Sequence, residues 1–207
     1  RHDEIKALMN DITVNETYFF REKEQLDVFS KEILPIIKQK NAARKQIKIW
    51  SAACSSGEEV YTLSMCLLES RLFDSSWKIE IVGTDISGKA LAKAQEGIYG
   101  GFSFRGMDSY LQNKYFTKLP NQMHQIKPEV KKITTFSWMN LKDSFQFRMM
   151  RNFDIIFCRN VLIYFDKAAK KNVAENLFAS LNPGGFLFIS QTESLFRITN
   201  LFQLKMS

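Results

Sequence analysis

Short runs of alternating apolar and polar residues recur along this chain, and apolar positions at helical spacing follow most of them. The runs predict strands at 46–50, 78–83, 153–158 and 186–190. The helical spacing predicts helices at 24–40, 58–71, 87–96 and 167–181, the first of them kinked at Pro35. Because strands and helices alternate, we expect an α/β fold around a central sheet.

The segment 98–145 breaks this rhythm. It predicts a helix at 107–115 and short antiparallel strands at 116–118, 124–128 and 132–138. We interpret the segment as a small antiparallel β-subdomain inserted into the α/β sheet. Near the end of the chain, residues 202–206 predict the start of a last strand.

Residues 47–61 combine a strand, a turn and a helix in a way that suits a ligand. Residues 51–57 are all small, so a ligand can approach the backbone closely. Glu58 and Glu59 then occupy the first helical turn, where negative charge complements the helix dipole. The turn is neither G-x-G-x-x-G nor a Walker loop. Two carboxylates favour a cationic nucleoside without phosphate, of which S-adenosylmethionine is an example.

Polar residues also follow the later strands, where doubly wound folds bind ligands. Asp85 is a candidate for binding ribose hydroxyls, or alternatively an aspartate that caps a turn. Arg159 and Asn160 interrupt an apolar stretch and belong either to the same site or to an ordinary connection between strand and helix. Residues 15–21 join a polar loop to aromatic side chains and to Arg21, which is either a site residue or a solvated one.

The composition narrows the functional classes. The 207 residues, 45% of them hydrophobic and 25% charged, are typical of a single globular domain. No apolar run reaches the roughly 20 residues of a membrane-spanning helix, so we expect no membrane insertion. Three cysteines without C-x-x-C spacing and only two histidines argue against disulfides and metal sites, and favour the reducing cytoplasm. The net charge of +7 indicates an acidic partner or a solvated coat of lysines, and no strong RNA-binding signature accompanies it.

Several segments, taken in order, resemble the CheR-type chemotaxis receptor methyltransferases, which transfer a methyl group from S-adenosylmethionine to glutamate side chains. The matching segments are NETYFFRE at 15–22, IWSAACSSGEEVYTLSM at 49–65, GTDIS at 83–87, FCRNVLIYFD at 157–166 and LNPGGFLFIS at 181–190. YFTK at 115–118 and IKPEVKKITTF at 126–136 resemble the family's β-subdomain. The resemblance covers nearly the whole chain. It implies a Rossmann-like class I S-adenosylmethionine-dependent methyltransferase fold with a small antiparallel β-subdomain at roughly 98–145.

The resemblance also implies an organisation and a site. Residues 1–22 would form a linker helix and an arm that closes over the cofactor, and residues 23–207 the methyltransferase domain. The implied cofactor-binding residues are Asn15, Thr17, Arg21, Glu58 or Glu59, Asp85, Asn140, Leu141, Cys158, Arg159 and Asn160. The choice between Glu58 and Glu59 stays open. Arg21 and Tyr164 are the candidates for work at the methyl-transfer centre, and the product would be S-adenosylhomocysteine.

Two features depart from the family's pattern. The separate N-terminal helical domain, which contributes positive surface for docking receptors, is expected to be absent here apart from a linker remnant at 1–12. The loop 119–125 contains no glycine, whereas members that tether to a receptor's C-terminal pentapeptide carry a longer, glycine-rich loop. We therefore expect a monomer that methylates the cytoplasmic helical region of receptors, without pentapeptide tethering and without nucleic acid.

The chemistry of glutamate methylation agrees with the residues present. A glutamate with a pKa of about 4.3 is already ionised at neutral pH and needs no general base. An in-line displacement at a sulfonium needs geometry, desolvation and charge placement instead. We expect Arg21 to hold the carboxylate in its planar fork and Tyr164 to orient it. Two other functions stay open: a non-catalytic sensor or scaffold that binds S-adenosylmethionine with the same fold, and an RNA methyltransferase suggested by the charge alone.

Overall fold

The structure is a computed structural model that describes residues 16–205. Its strands are β1 (Gln46–Ala52), β2 (Lys78–Asp85), β3 (Ile98–Tyr99), β4 (Phe116–Lys118), β5 (His124–Ile126), β6 (Thr134–Trp138), β7 (Phe153–Phe157) and β8 (Leu181–Phe188). The central sheet has the order β6-β2-β1-β7-β8, and all its neighbouring strands are parallel. The sheet extends from β1 through β2 to β6 on one side, and from β7 to β8 on the other. The α/β fold expected from the alternating pattern is therefore confirmed.

The helices alternate with these strands. They are α1 (Lys23–Val28), α2 (Leu34–Lys40), α3 (Glu58–Ser70), α4 (Gly88–Glu96), α5 (Ser109–Tyr115), α6 (Pro128–Lys131) and α7 (Lys167–Ser180). The ends of α4 lie where the sequence predicts them. The Ser87 hydroxyl accepts the N–H of Ala90 at 3.2 Å, and Gly97 ends the helix at φ 70°.

The first helical segment is interrupted where the sequence predicts a kink. A π-helical turn, Phe29–Ile33, lies between α1 and α2, and Pro35 stands at the start of α2. The Leu34 N–H reaches back to the carbonyl of Phe29. Because proline lacks an N–H and its ring crowds the preceding turn, the wider π turn accommodates it without ending the helical path.

The two faces of the sheet are covered by different helices. Ile47 and Ile49 belong to a buried cluster with residues of α1, α2 and α3. Trp50 points to the opposite face, where it packs with Val173 and Leu177 of α7. This alternation follows from the two-residue period of a strand. It fixes β1 rigidly between two layers, so the loop that follows β1 starts from a defined point.

A second, antiparallel sheet has the order β3-β5-β4 and lies within residues 98–126. It confirms the small antiparallel β-subdomain. The prediction that 132–138 belongs to it was wrong, because β6 pairs in parallel with β2 at the edge of the central sheet. Alternation of polar and apolar residues is the same in parallel and antiparallel edge strands, so the pattern could not identify the partner. The boundaries of the arm and the domain at residue 22 stay predictions.

The end of the chain also departs from expectation. Residues 202–205 form no strand, and Met206 lies outside the described residues. Phe202 instead packs its ring edgewise against Phe178 of α7, with ring centroids 5.4 Å apart. The expected linker helix at 1–12 also lies outside the described residues. Within residues 16–205, no helix combines the length and the apolar character needed to cross a bilayer.

Candidate active site at the carboxyl edge of the sheet

A cavity of about 470 Å³ opens at the carboxyl ends of β1, β2 and β7, bounded on one side by the arm, residues 16–22. This is the edge at which doubly wound sheets bind ligands, beside the point where strand order reverses between β1 and β7. The structure brings most of the predicted residues to its wall: Thr17, Arg21, Glu59, Asp85, Asn140, Leu141, Arg159, Asn160 and Tyr164. Glu58 and Cys158 do not line it, and Asn15 lies outside the described residues.

The loop after β1 is folded tightly against the end of β2. Ala53, Ser55 and Gly57 have positive φ values of 65°, 49° and 89°. A side chain at Gly57 would also collide, because its Cβ would lie 2.7 Å from the Cβ of Ala94. The loop therefore depends on this glycine for its entry into α3.

Asp85 holds that loop in place. Its carboxylate accepts the N–H of Ser55 and the N–H of Ser87, each at 2.8 Å. Burial raises the pKa of Asp85 above its ordinary value, although these hydrogen bonds act in the opposite direction. A carboxylate offers about four lone-pair positions, so Asp85 retains acceptor capacity on the cavity side. The two interpretations of Asp85, as a turn aspartate and as a ligand residue, are thus compatible.

The two glutamates at the start of α3 have different surroundings in the structure. Glu59 lines the cavity, accepts the hydroxyl of Ser51 at 2.7 Å and pairs with Arg159 at 3.0 Å. Glu58 is only 1% exposed and accepts the hydroxyls of Ser56 and Ser103, and burial raises its pKa. Glu58 therefore anchors the β-subdomain to α3, whereas Glu59 faces the cavity.

Arg159 is the buried cation of the cavity wall, which also carries Arg21 and Lys142. Its side chain is 3% exposed and its Nε lies 3.0 Å from Oε2 of Glu59. Its Nη2 donates to the carbonyl of Arg21 at 2.9 Å, which ties the arm to the loop after β7. Within the described residues, its Nη1 is buried without a hydrogen-bond partner. Next to it, Cys158 is fully buried, and burial raises its pKa well above the usual range, so the thiol stays protonated.

The arm is anchored by its aromatic residues. The Phe19 ring packs among the rings of Tyr99, Phe104 and Phe116 at centroid distances of 4.9 to 5.2 Å. The Phe19 N–H donates to the carbonyl of Ser103 at 2.9 Å. This packing holds the neighbouring Thr17 and Arg21 against the cavity.

Tyr164 and the pair Asn140–Leu141 reach the cavity from its other sides. Tyr164 ends a 3₁₀ turn, Leu162–Tyr164, and is 61% exposed at the cavity mouth. Asn140 and Leu141 follow β6, and the Met139 N–H just before them donates to the carbonyl of Asp85 at 3.0 Å. This hydrogen bond continues the pairing of β2 with β6 to the edge of the cavity.

Several residues that line or shape the cavity were not among the predicted site residues: Thr62, Met139, Lys142, Val161 and Glu193. Tyr18 and Ser55 also line it, and the sequence indicated them only as members of the segments 15–21 and 51–57. Thr62 lies three positions after Glu59 in a predicted helix, and residues at this spacing share one face of the helix. The spacing could therefore have identified Thr62 as a cavity residue. Glu193 had no such signal. Its carboxylate accepts backbone N–H groups of the loop after β7, a contact that only the folded chain creates.

A parallel sheet of this order, with acidic residues at the ends of β1 and β2 facing one cavity, is the arrangement of a Rossmann-like class I methyltransferase. Residues 15–207 match the family described as CheR methyltransferase, SAM binding domain, and the chain belongs to this family. The resemblance drawn from the sequence motifs is confirmed. The chain is an S-adenosylmethionine-dependent methyltransferase.

Relatives and solved structures place this match in context. The chain is 38% identical over 203 residues to Chemotaxis protein methyltransferase 2 of Vibrio cholerae, covering 98% of this chain and 70% of that protein. It is 39% identical over 191 residues to Chemotaxis protein methyltransferase of Borreliella burgdorferi, covering 91% and 67%. The PH0226 protein from Pyrococcus horikoshii OT3 is similar at a TM-score of 0.43 and 17% identity, covering 87% and 65%. That structural likeness is too distant to bear on function.

The cavity fits S-adenosylmethionine chemically. Within the described residues, Nη1 of Arg159 and Oγ of Ser55 are buried without hydrogen-bond partners, and both residues line the cavity. Buried donors of this kind require a partner. The carboxylate of the cofactor suits the guanidinium, and its amino group and ribose hydroxyls suit Glu59 and Asp85.

The arm passes close to Gly106, so a substitution at this glycine tests whether the arm contributes to cofactor binding. A Cβ at Gly106 would lie 2.9 Å from the carbonyl oxygen of Phe19 and 3.0 Å from ring carbons of Tyr18. Gly106→Ala should push the arm off the cavity and weaken binding of S-adenosylhomocysteine about 10-fold, as expected for overpacking of about 1–3 kcal/mol. Calorimetric titration measures this change.

Gly101→Ala is the matched control, since a Cβ there would meet no atom within 4 Å. It should bind as the unaltered protein does. Equal affinity of the Gly106→Ala and Gly101→Ala proteins would contradict the role given to the arm.

Proposed function

We propose that this protein forms methyl esters on glutamate side chains in the cytoplasmic helical region of chemotaxis receptors. The observation that carries the proposal is the meeting of Arg21 and Tyr164 at one cavity that also contains Glu59 and Asp85. Cofactor-binding groups and groups suited to a carboxylate substrate thus share one opening. The names of the relatives, chemotaxis protein methyltransferases, agree with this substrate class.

The proposed roles divide the cavity between cofactor and substrate. Arg159, Glu59 and Asp85 would hold the charged and hydroxyl groups of S-adenosylmethionine. Asn140 and Leu141 would flank its adenine, and Thr17 would close over its methionine end. When bound, the cofactor supplies an electrophilic methyl group on a sulfonium. Glu58 and Cys158 contribute indirectly, the first through the β-subdomain and the second through packing.

Arg21 is proposed to receive the substrate carboxylate. Its Nη1 donates to the backbone carbonyl of Glu16 at 2.8 Å, a contact that fixes the side chain without neutralising it. The Glu16 carboxylate pairs instead with Arg105 at 2.7 Å. Within residues 16–205 Arg21 has no carboxylate partner, so its remaining N–H donors can bind a substrate carboxylate at two points.

No proton has to be removed from the attacking group, because a glutamate is ionised at neutral pH. The chain's own contribution is alignment and the exclusion of water. The arm shields the cavity through the packing of Phe19, and Tyr164 would orient the carboxylate by its hydroxyl. The thiol on the cavity wall is that of Cys54, and burial raises its pKa well above the usual range, so it stays protonated and does not compete as a nucleophile.

We propose that the protein does not tether to the C-terminal pentapeptide of a receptor. A short 3₁₀ turn, Pro120–Gln122, connects β4 to β5, and Leu119 donates its N–H to the carbonyl of Met123 at 2.8 Å. This closed turn leaves little backbone to bind a peptide. We propose that the protein acts in the cytoplasm as a monomer and recognises the receptor's helical region directly.

A transfer assay tests the proposed reaction. Receptor fragments, intact or lacking the C-terminal pentapeptide, are incubated with cofactor carrying a radioactive methyl group. We expect label that is released by mild base, as a carboxyl ester requires, and that maps to glutamates by mass analysis. Both fragments should be labelled at equal initial rates.

Three other results of this assay would contradict parts of the proposed function. Cofactor binding without transfer to any fragment would favour the sensor or scaffold alternative. Base-stable label on RNA would favour the alternative suggested by the net charge of +7. A many-fold loss of rate on the truncated fragment would show that the loop 119–125 tethers the receptor after all.

Substitution of Arg21 separates transfer from cofactor binding. Arg21→Ala should slow single-turnover methylation at saturating cofactor about 10- to 100-fold, because charge-assisted hydrogen bonds worth about 1.5–3 kcal/mol are lost. Arg21→Lys should recover only part of the rate, since an ammonium lacks the planar grip. Circular dichroism serves as the folding control. A folded Arg21→Ala protein with normal turnover would reduce Arg21 to a surface residue.

A further inference from the structure

The loop after β7 carries Tyr164 but has little regular structure of its own. Asn160 adopts a left-handed conformation at φ 57°, and a single 3₁₀ turn, Leu162–Tyr164, follows it. The first N–H groups of any helical turn lack partners within the turn. Unless another group accepts them, such a loop has no fixed conformation.

Glu193 accepts these N–H groups. Its Oε1 receives the N–H of Val161 at 2.9 Å, of Leu162 at 2.7 Å and of Ile163 at 3.3 Å. Its Oε2 receives the N–H of Asn160 at 3.0 Å and of Ser190 at 3.0 Å. One carboxylate thus accepts four N–H groups of residues 160–163 and a fifth from Ser190 after β8, and it joins the two segments by charge-assisted bonds.

The side chain of Tyr164 depends on that turn. It is 61% exposed, and within the described residues its hydroxyl has no hydrogen-bond partner. Its own N–H donates to the carbonyl of Val161 at 3.2 Å, inside the turn that Glu193 caps. The backbone alone therefore aims the phenol at the cavity mouth.

We propose that Glu193 is a positioning residue for methyl transfer, which sets Tyr164 by capping the turn at 161–164. This inference rests on the proposed function, in which Tyr164 acts at the transfer centre. It predicts that substitution of Glu193 lowers the rate of methyl transfer more than it lowers the affinity for the cofactor. Arg159 is held separately, by Glu59 and by the carbonyl of Arg21, and within residues 16–205 no hydrogen bond or ion pair joins its side chain to Glu193.

Glu193→Gln is the direct test, because the amide keeps the shape but offers one oxygen and turns an NH₂ group towards N–H donors. The single-turnover rate at saturating cofactor should fall about 10- to 100-fold, the penalty of misaligned groups. Affinity for S-adenosylhomocysteine should fall by a smaller factor than the rate, because Arg159, Glu59 and Asp85 are held by hydrogen bonds and ion pairs that do not include Glu193. Glu175→Gln is the matched control on α7, where Glu175 is 50% exposed and pairs loosely with Lys171 at 3.9 Å.

A double-mutant cycle distinguishes positioning from general loosening of the fold. If Glu193 acts through Tyr164, then Glu193→Gln should slow the Tyr164→Phe protein by less than about threefold. The proposal is overturned if Glu193→Gln keeps the normal rate. It is equally overturned if the substitution slows the Tyr164→Phe protein and the unaltered protein by the same factor.

Hydrogen exchange provides a readout that requires no substrate. In the Glu193→Gln protein the amides of residues 160–163 should exchange faster, while those of β1 stay protected. Unchanged exchange at 160–163 would overturn the proposal even if the rate fell. If the unaltered protein methylates no receptor fragment, the proposed function fails, and exchange still decides whether Glu193 holds the loop.

Discussion

The buried guanidinium of Arg159 is the contact on which the rest of the site depends. It joins the loop after β7 to Glu59 at the start of α3 and to the backbone of the arm at Arg21. Taking a charge out of water is costly unless partners replace the hydration. Glu59 and the carbonyl of Arg21 provide part of that replacement, and we propose that a ligand carboxylate completes it. The cavity is thus shaped by a charge that its protein partners leave incompletely satisfied.

Two carboxylates extend this arrangement by binding backbone instead of side chains. Asp85 fixes the loop after β1 through the N–H of Ser55, and Glu193 fixes the loop after β7. In each case a charge-assisted bond replaces the regular structure that a short loop lacks. A reaction that needs alignment more than acid–base groups benefits from loops held in this way.

The sequence was informative wherever a local rule decides the structure. Alternating residues predicted the strands of the central sheet, Ser87 and Gly97 predicted the ends of α4, and the motif segments predicted most of the cavity wall. It failed where the partner lies far along the chain. The pairing of β6 with β2 is an example. The sequence left the choice between Glu58 and Glu59 open, because adjacent residues at a helix start differ only in the direction they face. Glu193 was missed because the backbone N–H groups that donate to its carboxylate lie about 30 positions earlier in the chain, and no side-chain pattern reveals them.

We propose that the cavity beneath the arm binds the cofactor through Arg159, Glu59 and Asp85. A crystal structure of the protein with S-adenosylhomocysteine is the most direct test of these contacts. We expect the carboxylate of the ligand at Nη1 of Arg159, the amino group near Glu59, the ribose hydroxyls at Asp85 and the adenine beside Asn140 and Leu141. A ligand bound outside the cavity, or one whose ribose and carboxylate leave Asp85 and Arg159 without contact, would contradict it.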